Sequence, residues 1–486
     1  MSLGRREFLK FSGAVLGGAA LTATAACTRT PPAGKADYTL RIGAGLVELT
    51  PDRVVSTTLY NGQFPGPLLR FTEGKPATVD VYNDTDSPEQ LHWHGQTLPV
   101  DVDGSAEEGT PFIPPHGMRR LRFHPGPPGL RFYHTHLVAG ADLSLGAYSG
   151  QAGPVYVEPT QNPGGYDREV FVTLKEFEPT LNRSGDMGTD YLAGPQDPRL
   201  RDIGEAAMAQ VTARGLPLGF DLEYGVCTIN GRPLGHGDPI RVKSGDRVLL
   251  HVLNASATET RSLALPGHAF TVVALDGNPV PTPAPVPVLW LGAAERVSAL
   301  VEMTTPGVWV LGDLDDDDRG RGAGIVVAYA GQTGAPQWTP PPPFRWDYRL
   351  FARPGVNPPA ADQVIDLLFE RQNAADNGFD VWTINGQRFT MPAGQPRFTV
   401  ERGGRYRLRL RNASDSNHPI HLHRNTFEIT HIAGTPTAGV RKDVVMLGAY
   451  QTADIDFTAE EPGLSLFHCH KQSHMDFGFM ALIDCG

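Results

Sequence analysis

The run Leu464-Ser465-Leu466-Phe467-His468-Cys469-His470, with His474 four residues on, decides how this chain is read. Its apolar character and the Pro462-Gly463 turn before it predict a strand. Side chains alternate across a strand, so His468 and His470 share one face and Cys469 points to the other. A thiolate flanked by two imidazoles, with a third nearby, is the raw material of a copper site, because cysteine sulfur is a soft ligand and one Cys with two His in trigonal array suits copper. A buried structural cysteine beside unrelated histidines is the plainer reading. The other histidines weigh against it.

Outward from that stretch the sequence repeats. An Asn-Gly turn occurs at Asn61-Gly62, Asn230-Gly231 and Asn385-Gly386, and each is followed by strand-like sequence ending at Asn83, Asn254 or Asn412. Nine and eleven residues past those asparagines stand His92 and His94, then Leu263 and Leu265, then His421 and His423. A Pro-Gly turn follows in every unit, at Pro128, Pro306 and Pro462. Six and eight residues past each proline lie His134 and His136, then Gly312 and Leu314, then His468 and His470. Units one and three therefore carry a His-x-His pair at both places and unit two carries neither. Two metal-bearing units around a structural spacer are expected.

Histidines at i and i+2 on a strand point the same way, so eight imidazoles from two units can face one another and hold about three metals. Imidazole alone does not name the metal; Cys469 does. Its site needs one more imidazole, which His418, six past Asn412, can supply. The equivalent positions in the other units are Glu89 and Thr260, so only the third unit can build it.

Composition fits this picture. The 486 residues include 55 Gly and 43 Pro, and amphipathic helical periodicity is scarce. Each unit fits a Greek-key β-sandwich, giving an all-β chain of three tandem domains. The limits are a leader at 1–36 and domains at 37–160, 161–340 and 341–486, with Pro- and Gly-rich joints at 158–165 and 333–344. Residues 178–220 fit no strand pattern, and 202–213 predict a short helix; we read this stretch as an insertion bordering a substrate pocket. A net charge of -11 gives no footing for nucleic-acid binding.

Arg5-Arg6-Glu7-Phe8-Leu9-Lys10 reads as a twin-arginine signal, and the apolar stretch 11–26 after it is short for a membrane span. A periplasmic or extracellular location, reached through the twin-arginine export machinery, is expected. Removal of residues 1–26, with three basic residues and one acidic residue, leaves a mature chain near -13. Cys27 is a candidate lipidation site, although Thr24 stands where leucine is usual. With Cys27 in the leader and Cys469 on metal, Cys227 and Cys485 remain as a pair able to form a disulfide, which spacing cannot establish.

Four motifs, His92-Trp93-His94-Gly95, Tyr133-His134-Thr135-His136, His418-Pro419-Ile420-His421-Leu422-His423 and His468-Cys469-His470-x3-His474, resemble in order those of three-domain multicopper oxidases of the laccase type. The resemblance covers essentially the mature chain and implies that its three sandwiches are cupredoxin-like. It implies four copper ions: a type 1 copper on His418, Cys469 and His474, and a type 2 copper on His92 and His421. One type 3 copper falls to His94, His134 and His470, the other to His136, His423 and His468. It also implies that electrons pass from type 1 through Cys469 to the cluster, where dioxygen takes four and becomes water, with Asp103 as the assisting acid. A surface turn aspartate is the simpler reading of Asp103. The other six histidines (His116, His124, His236, His251, His268, His431) lack such spacing and are read as structural or solvated.

The chain departs from the commonest bacterial pattern at Phe479, where an axial methionine is usual; Met480 faces the other way on a strand. A higher type 1 potential follows, because the axial ligand tunes these sites. Met475 stands where several metal-oxidising relatives have Glu, with Asp476 next. The run Asp315–Asp318 reads as a solvated loop. The resemblance implies a laccase-like oxidase of phenols and aromatic amines, using a small-molecule electron donor and dioxygen. The alternative is a metallo-oxidase for Cu(I) or another metal ion; nine methionines with no cluster count against it. A copper-free cupredoxin scaffold would have lost its ligands, and a copper nitrite reductase has two domains and no eight-histidine cluster.

Overall fold

The computed structural model describes residues 34–486 apart from 162–163, 184–189, 216–217 and 392. The twin-arginine signal and Cys27 lie outside these residues. Three sets of facing sheets follow one another. The first unit pairs a four-stranded sheet (Arg53–Tyr60, Tyr38–Thr50, Ala77–Asn83, Met118–Phe123) with another (Leu69–Thr72, Ala152–Glu158, Gly129–His134, His92–His94). The second and third units each have a six-stranded sheet, facing three- and two-stranded sheets in the second and a five-stranded sheet in the third.

The repeated asparagines explain why the units share one plan. Asn61, Asn230 and Asn385 adopt left-handed φ values of 53°, 53° and 52°, a region asparagine tolerates. Each accepts a main-chain N–H from the neighbouring strand, of Arg41, Thr173 or Leu368, at 2.7 to 2.8 Å. Asn83, Asn254 and Asn412 each end a strand that pairs parallel with the first long strand of its unit. Every one of them donates through Nδ2 to two carbonyls further along its unit, such as Ser416 O at 2.8 Å and Gly448 O at 2.9 Å for Asn412. The loop that leads to each histidine position is thus tied to the sheet by an identical clasp.

Between the two sheets of the first unit lies a core of Leu40, Val79, Trp93, Tyr133 and Val155 among others. One larger core runs through the second and third units without a break. Leu263 and Leu265 belong to it, so apolar burial occupies in the middle unit the places that histidines take elsewhere.

Three expectations are corrected. Strand Arg168–Asn182 runs into the stretch read as strandless, since Leu174–Asn182 pair with Asp221–Ile229. The helix is longer than 202–213: it spans Pro198–Ala213, started by the Asp197 side chain, which accepts from Arg199 N, and by Pro at its first position. The acidic run is exposed from Asp315 to Asp317, as a solvated stretch should be, but it is not a loop. Asp315 caps a short helix, Asp316–Gly320, and Asp318 pairs with Arg261 and Arg321. Cys227 and Cys485 form no disulfide; each is a buried thiol in a different unit. Burial pushes the Cys227 thiol up to about 12.

Candidate metal centres

Strands His418–Leu422 and Gly463–Cys469 lie side by side, with Ile420 opposite Cys469 and His421 opposite His468. Alternation then sorts their ligand-type side chains onto two faces. His418 and Cys469 point into the third unit's own interior, while His421, His423, His468 and His470 point toward the first unit. One pair of strands therefore serves two places.

On the interior face, Cys469 Sγ lies 3.6 Å from His418 Nδ1 and 3.5 Å from His474 Nδ1, and the two nitrogens are 3.2 Å apart. The point equidistant from all three lies roughly 2 Å from each, the length of a metal–imidazole bond. His418 is held from behind by Ser414 Oγ at 2.9 Å. Phe479, fully buried, closes this face with its ring 5.0 Å from that of His418. Met480 packs elsewhere, against Phe389, Met475 and Leu482. Trp382 lies over His474 with ring centroids 4.2 Å apart.

On the other face, the eight remaining histidines of the four motifs meet between units one and three, all buried. His94, His134 and His470 form one group whose ligand atoms lie within 4.8 Å of one another; His136, His423 and His468 form a second, and His92, His94 and His421 a third. Outer hydrogen bonds fix which nitrogen faces inward. His92, His134 and His421 give Nδ1 to the carbonyls of Asp103, Thr135 and Asp443, at 3.0, 2.7 and 2.7 Å, and each is left with a buried Nε2 that has no protein partner. His94 is reversed: Nε2 bonds Asp443 Oδ1 at 3.1 Å and Nδ1 is the unpartnered atom. Burial holds His94, His134, His421, His423 and His468 well below the ordinary imidazole range and His470 at about 3, with further depression from neighbouring histidines. Neutral rings with inward lone pairs are the form that ligates metal. The donor set fits a metal cluster.

Multicopper oxidase family models match the chain at 44–162, 205–328 and 358–484. Multicopper oxidase MmcO of Mycobacterium tuberculosis is 30% identical over 444 residues, covering 89% of this chain and 83% of that protein. The chain belongs to the multicopper oxidase family. A copper resistance protein A homolog of Pseudomonas syringae is 28% identical over 64% of this chain and 55% of its own length. Among solved structures, the multi-copper oxidase from Pseudomonas thermotolerans aligns with a TM-score of 0.68 and 26% identity, over 93% of this chain and 100% of that one. The oxidase is thus a copper-dependent oxidoreductase that uses dioxygen, and its histidine clusters fit copper.

Asp103, read as either an assisting acid or a surface turn, is fully buried in the oxidase, with Oδ2 3.0 Å from both His92 Nδ1 and His423 Nδ1. Sequence reading missed its neighbours. Glu108 lies 3.2 Å from His423 and also accepts from Leu466 N, and Glu107 lies 3.6 Å from His136. Burial, with the Asp103 carboxylate beside it, pushes the Glu108 carboxyl well above its ordinary range. Their only sequence signal was acidity four and five residues past Asp103. Asp476 accepts Ala139 N and Gly140 N and so fastens the third unit to the first. Of the six other histidines, His251 is buried in a stack on Phe171, His268 bonds Tyr329, His116 and His431 pair with Asp86 and Asp454, and His124 and His236 are exposed.

Beside His474 lies a cavity of about 160 Å³. Met208 of the helix, Leu218 to Phe220 of the same insertion, Asp221, Phe379, Trp382 and Asp380 are among its walls. The insertion does border a pocket. Among the described residues, no helix is long and apolar enough to cross a membrane.

Proposed function

We propose that this oxidase is an exported laccase-like enzyme that takes single electrons from phenols and aromatic amines at the cavity beside His474. The cavity itself carries the reading: it brings a small aromatic molecule against Phe220, Phe379 and the wall containing His474. In this reading His418, Cys469 and His474 hold a type 1 copper; His92 and His421 a type 2 copper; and His94, His134 and His470, with His136, His423 and His468, the two type 3 coppers. Four copper ions would supply one-electron exchange at the first place and four-electron reduction of dioxygen to water at the cluster.

The chain's own residues perform the remaining tasks. His474 borders the cavity and touches the Cys469 sulfur, so the path from the electron donor is short. Cys469 is bonded through its main chain to His468 and His470, which makes the route to the cluster covalent. Asp103 and Glu108, both beside His423, are placed to hold protons where oxygen atoms must take them up. The twin-arginine signal supports export to the periplasm or beyond, and Cys27 is the residue by which a lipid would anchor the chain.

A second reading, oxidation of Cu(I) or another metal ion, is favoured by Asp221, Asp380, Asp415 and Met208 on the walls of the same cavity. Oxygen uptake by the copper-loaded mature protein separates the two. Uptake with a simple phenol, lost in Cys469→Ser, is expected; uptake with Cu(I) alone, above a protein-free blank, would replace the laccase reading by the metal-ion one. No uptake with either would sink both.

A further inference from the structure

The middle unit carries none of the proposed copper ligands, yet it contributes half of a charge cluster sealed between the three units. Arg131 comes from the first unit, Asp276, Glu295 and Arg296 from the second, and Lys442 and Asp443 from the third, and none is more than 2% exposed. The formal charges cancel. Lys442 Nζ lies 2.9 Å from Asp276 and 3.0 Å from Glu295, and Asp276 Oδ2 also accepts the main-chain N–H of Val444 at 3.0 Å. Buried charges persist only when paired and hydrogen-bonded in this way.

At the centre is Asp443. Arg296 grips both of its oxygens, Nη1 to Oδ1 at 2.6 Å and Nη2 to Oδ2 at 2.6 Å, whereas Arg131 reaches Oδ2 alone at 3.0 Å. A two-point fork fixes the rotation of a carboxylate, which a single contact does not. That rotation matters because Oδ1 is the atom that takes His94 Nε2, turning Nδ1 of His94 inward. The carbonyl of the same residue takes His421 Nδ1. Gly95, next to His94, is pressed against the pair: a Cβ there would stand 2.5 Å from Asp443 Oδ2 and 2.6 Å from Arg296 Nη2.

We propose that Arg296 is a positioning residue for the oxygen-reducing centre, acting from the ligand-free unit through Asp443 on His94 and His421. The inference rests on the ligand assignment above. It makes the middle unit part of the site's support rather than a spacer.

The test is Arg296→Lys, which keeps the buried charge and loses the fork, compared with Arg131→Lys in the holoenzyme. Two half-reactions are followed: anaerobic bleaching of the blue absorption by a phenol, and its recovery on mixing with oxygen. Arg296→Lys is expected to bleach at the wild-type rate, recover about tenfold more slowly and change the type 2 copper electron-spin-resonance signal, in the range that loss of an outer hydrogen bond costs a metal site. Arg131→Lys is expected to change these far less. Equal effects of the two lysines would reduce Arg296 to charge balance, and an unchanged copper signal and recovery would overturn the proposal. Gly95→Ala disturbs the same pair from the first unit and must give the same signature, so a poorly folding Arg296→Lys does not shield the idea. A wild-type protein without a type 2 signal would instead condemn the ligand assignment beneath it.

Discussion

Position 479 shows what one side chain decides. Phe479 fills the place beside His418 and Cys469 with a ring that offers no lone pair, and its neighbours Phe369 and Trp382 hold it there at 4.7 and 5.7 Å between centroids. A thioether in its place would stabilise the oxidised copper, so Phe479→Met is expected to lower the type 1 reduction potential. A redox titration of the blue absorption measures this; an unmoved potential would mean that the new sulfur never reaches the metal. Glu89 shows the converse, at the position that His418 holds in the third unit. It is 4% exposed, burial raises its carboxyl to about 7, and its side chain accepts from Gln151 Nε2 at 3.0 Å. The folded state therefore binds this proton more tightly than the unfolded chain. That contribution is complete below the unfolded value of 4.5 and is lost as pH rises through about 7. Glu89→Gln should remove the loss, which is worth on the order of 3 kcal/mol above neutral pH. Melting temperatures from pH 5 upward, about as far as pH 8, should fall less steeply in the variant; parallel curves would show that Glu89 is not the group responsible.

The helix Pro198–Ala213 is the element that the cavity depends on. Only Leu200 of its side chains is buried, so its place is set by backbone contact rather than by an apolar stripe. Asp197 N donates to Tyr450 O at 2.7 Å, and Gly204 rests on the chain below it. A Cβ at Gly204 would come 2.5 Å from Ala413 O and 2.8 Å from the Tyr450 ring. Glycine inside a helix costs about 1 kcal/mol relative to alanine, so Gly204 is kept for the close approach. Gly204→Ala is expected to lift the helix and with it Met208, changing the KM for a phenol several-fold while the blue absorption stays as in the wild type. An unchanged KM would detach the helix from electron-donor binding. This element was half legible: its polar, irregular sequence marked an insertion, but its start lay four residues earlier because Asp197 and Pro198 form a cap that a search for apolar periodicity passes over.

Across the three units, the β architecture, the threefold repeat and the placing of histidine in units one and three were all legible in the residues alone. These follow from spacing along a strand, where a side chain's direction depends only on whether its position is odd or even. The same parity set Cys469 against His468 and His470, and His418 against His421, whereas the register that pairs Ile420 with Cys469 put His418 and Cys469 on one face. What stands behind the ligands emerges from the folded chain. Glu107, Glu108, Asp276, Arg296 and Asp443 occupy loops and strand ends in three units, and nothing in their local sequence says that they meet. Their meeting depends on how the units dock, and docking is fixed by contacts hundreds of residues apart, such as Asp443 with Arg131 and Asp476 with Ala139. Cys227 and Cys485 make the same point from the other side: their number permitted a bond, and the fold buries each as a free thiol in a different unit.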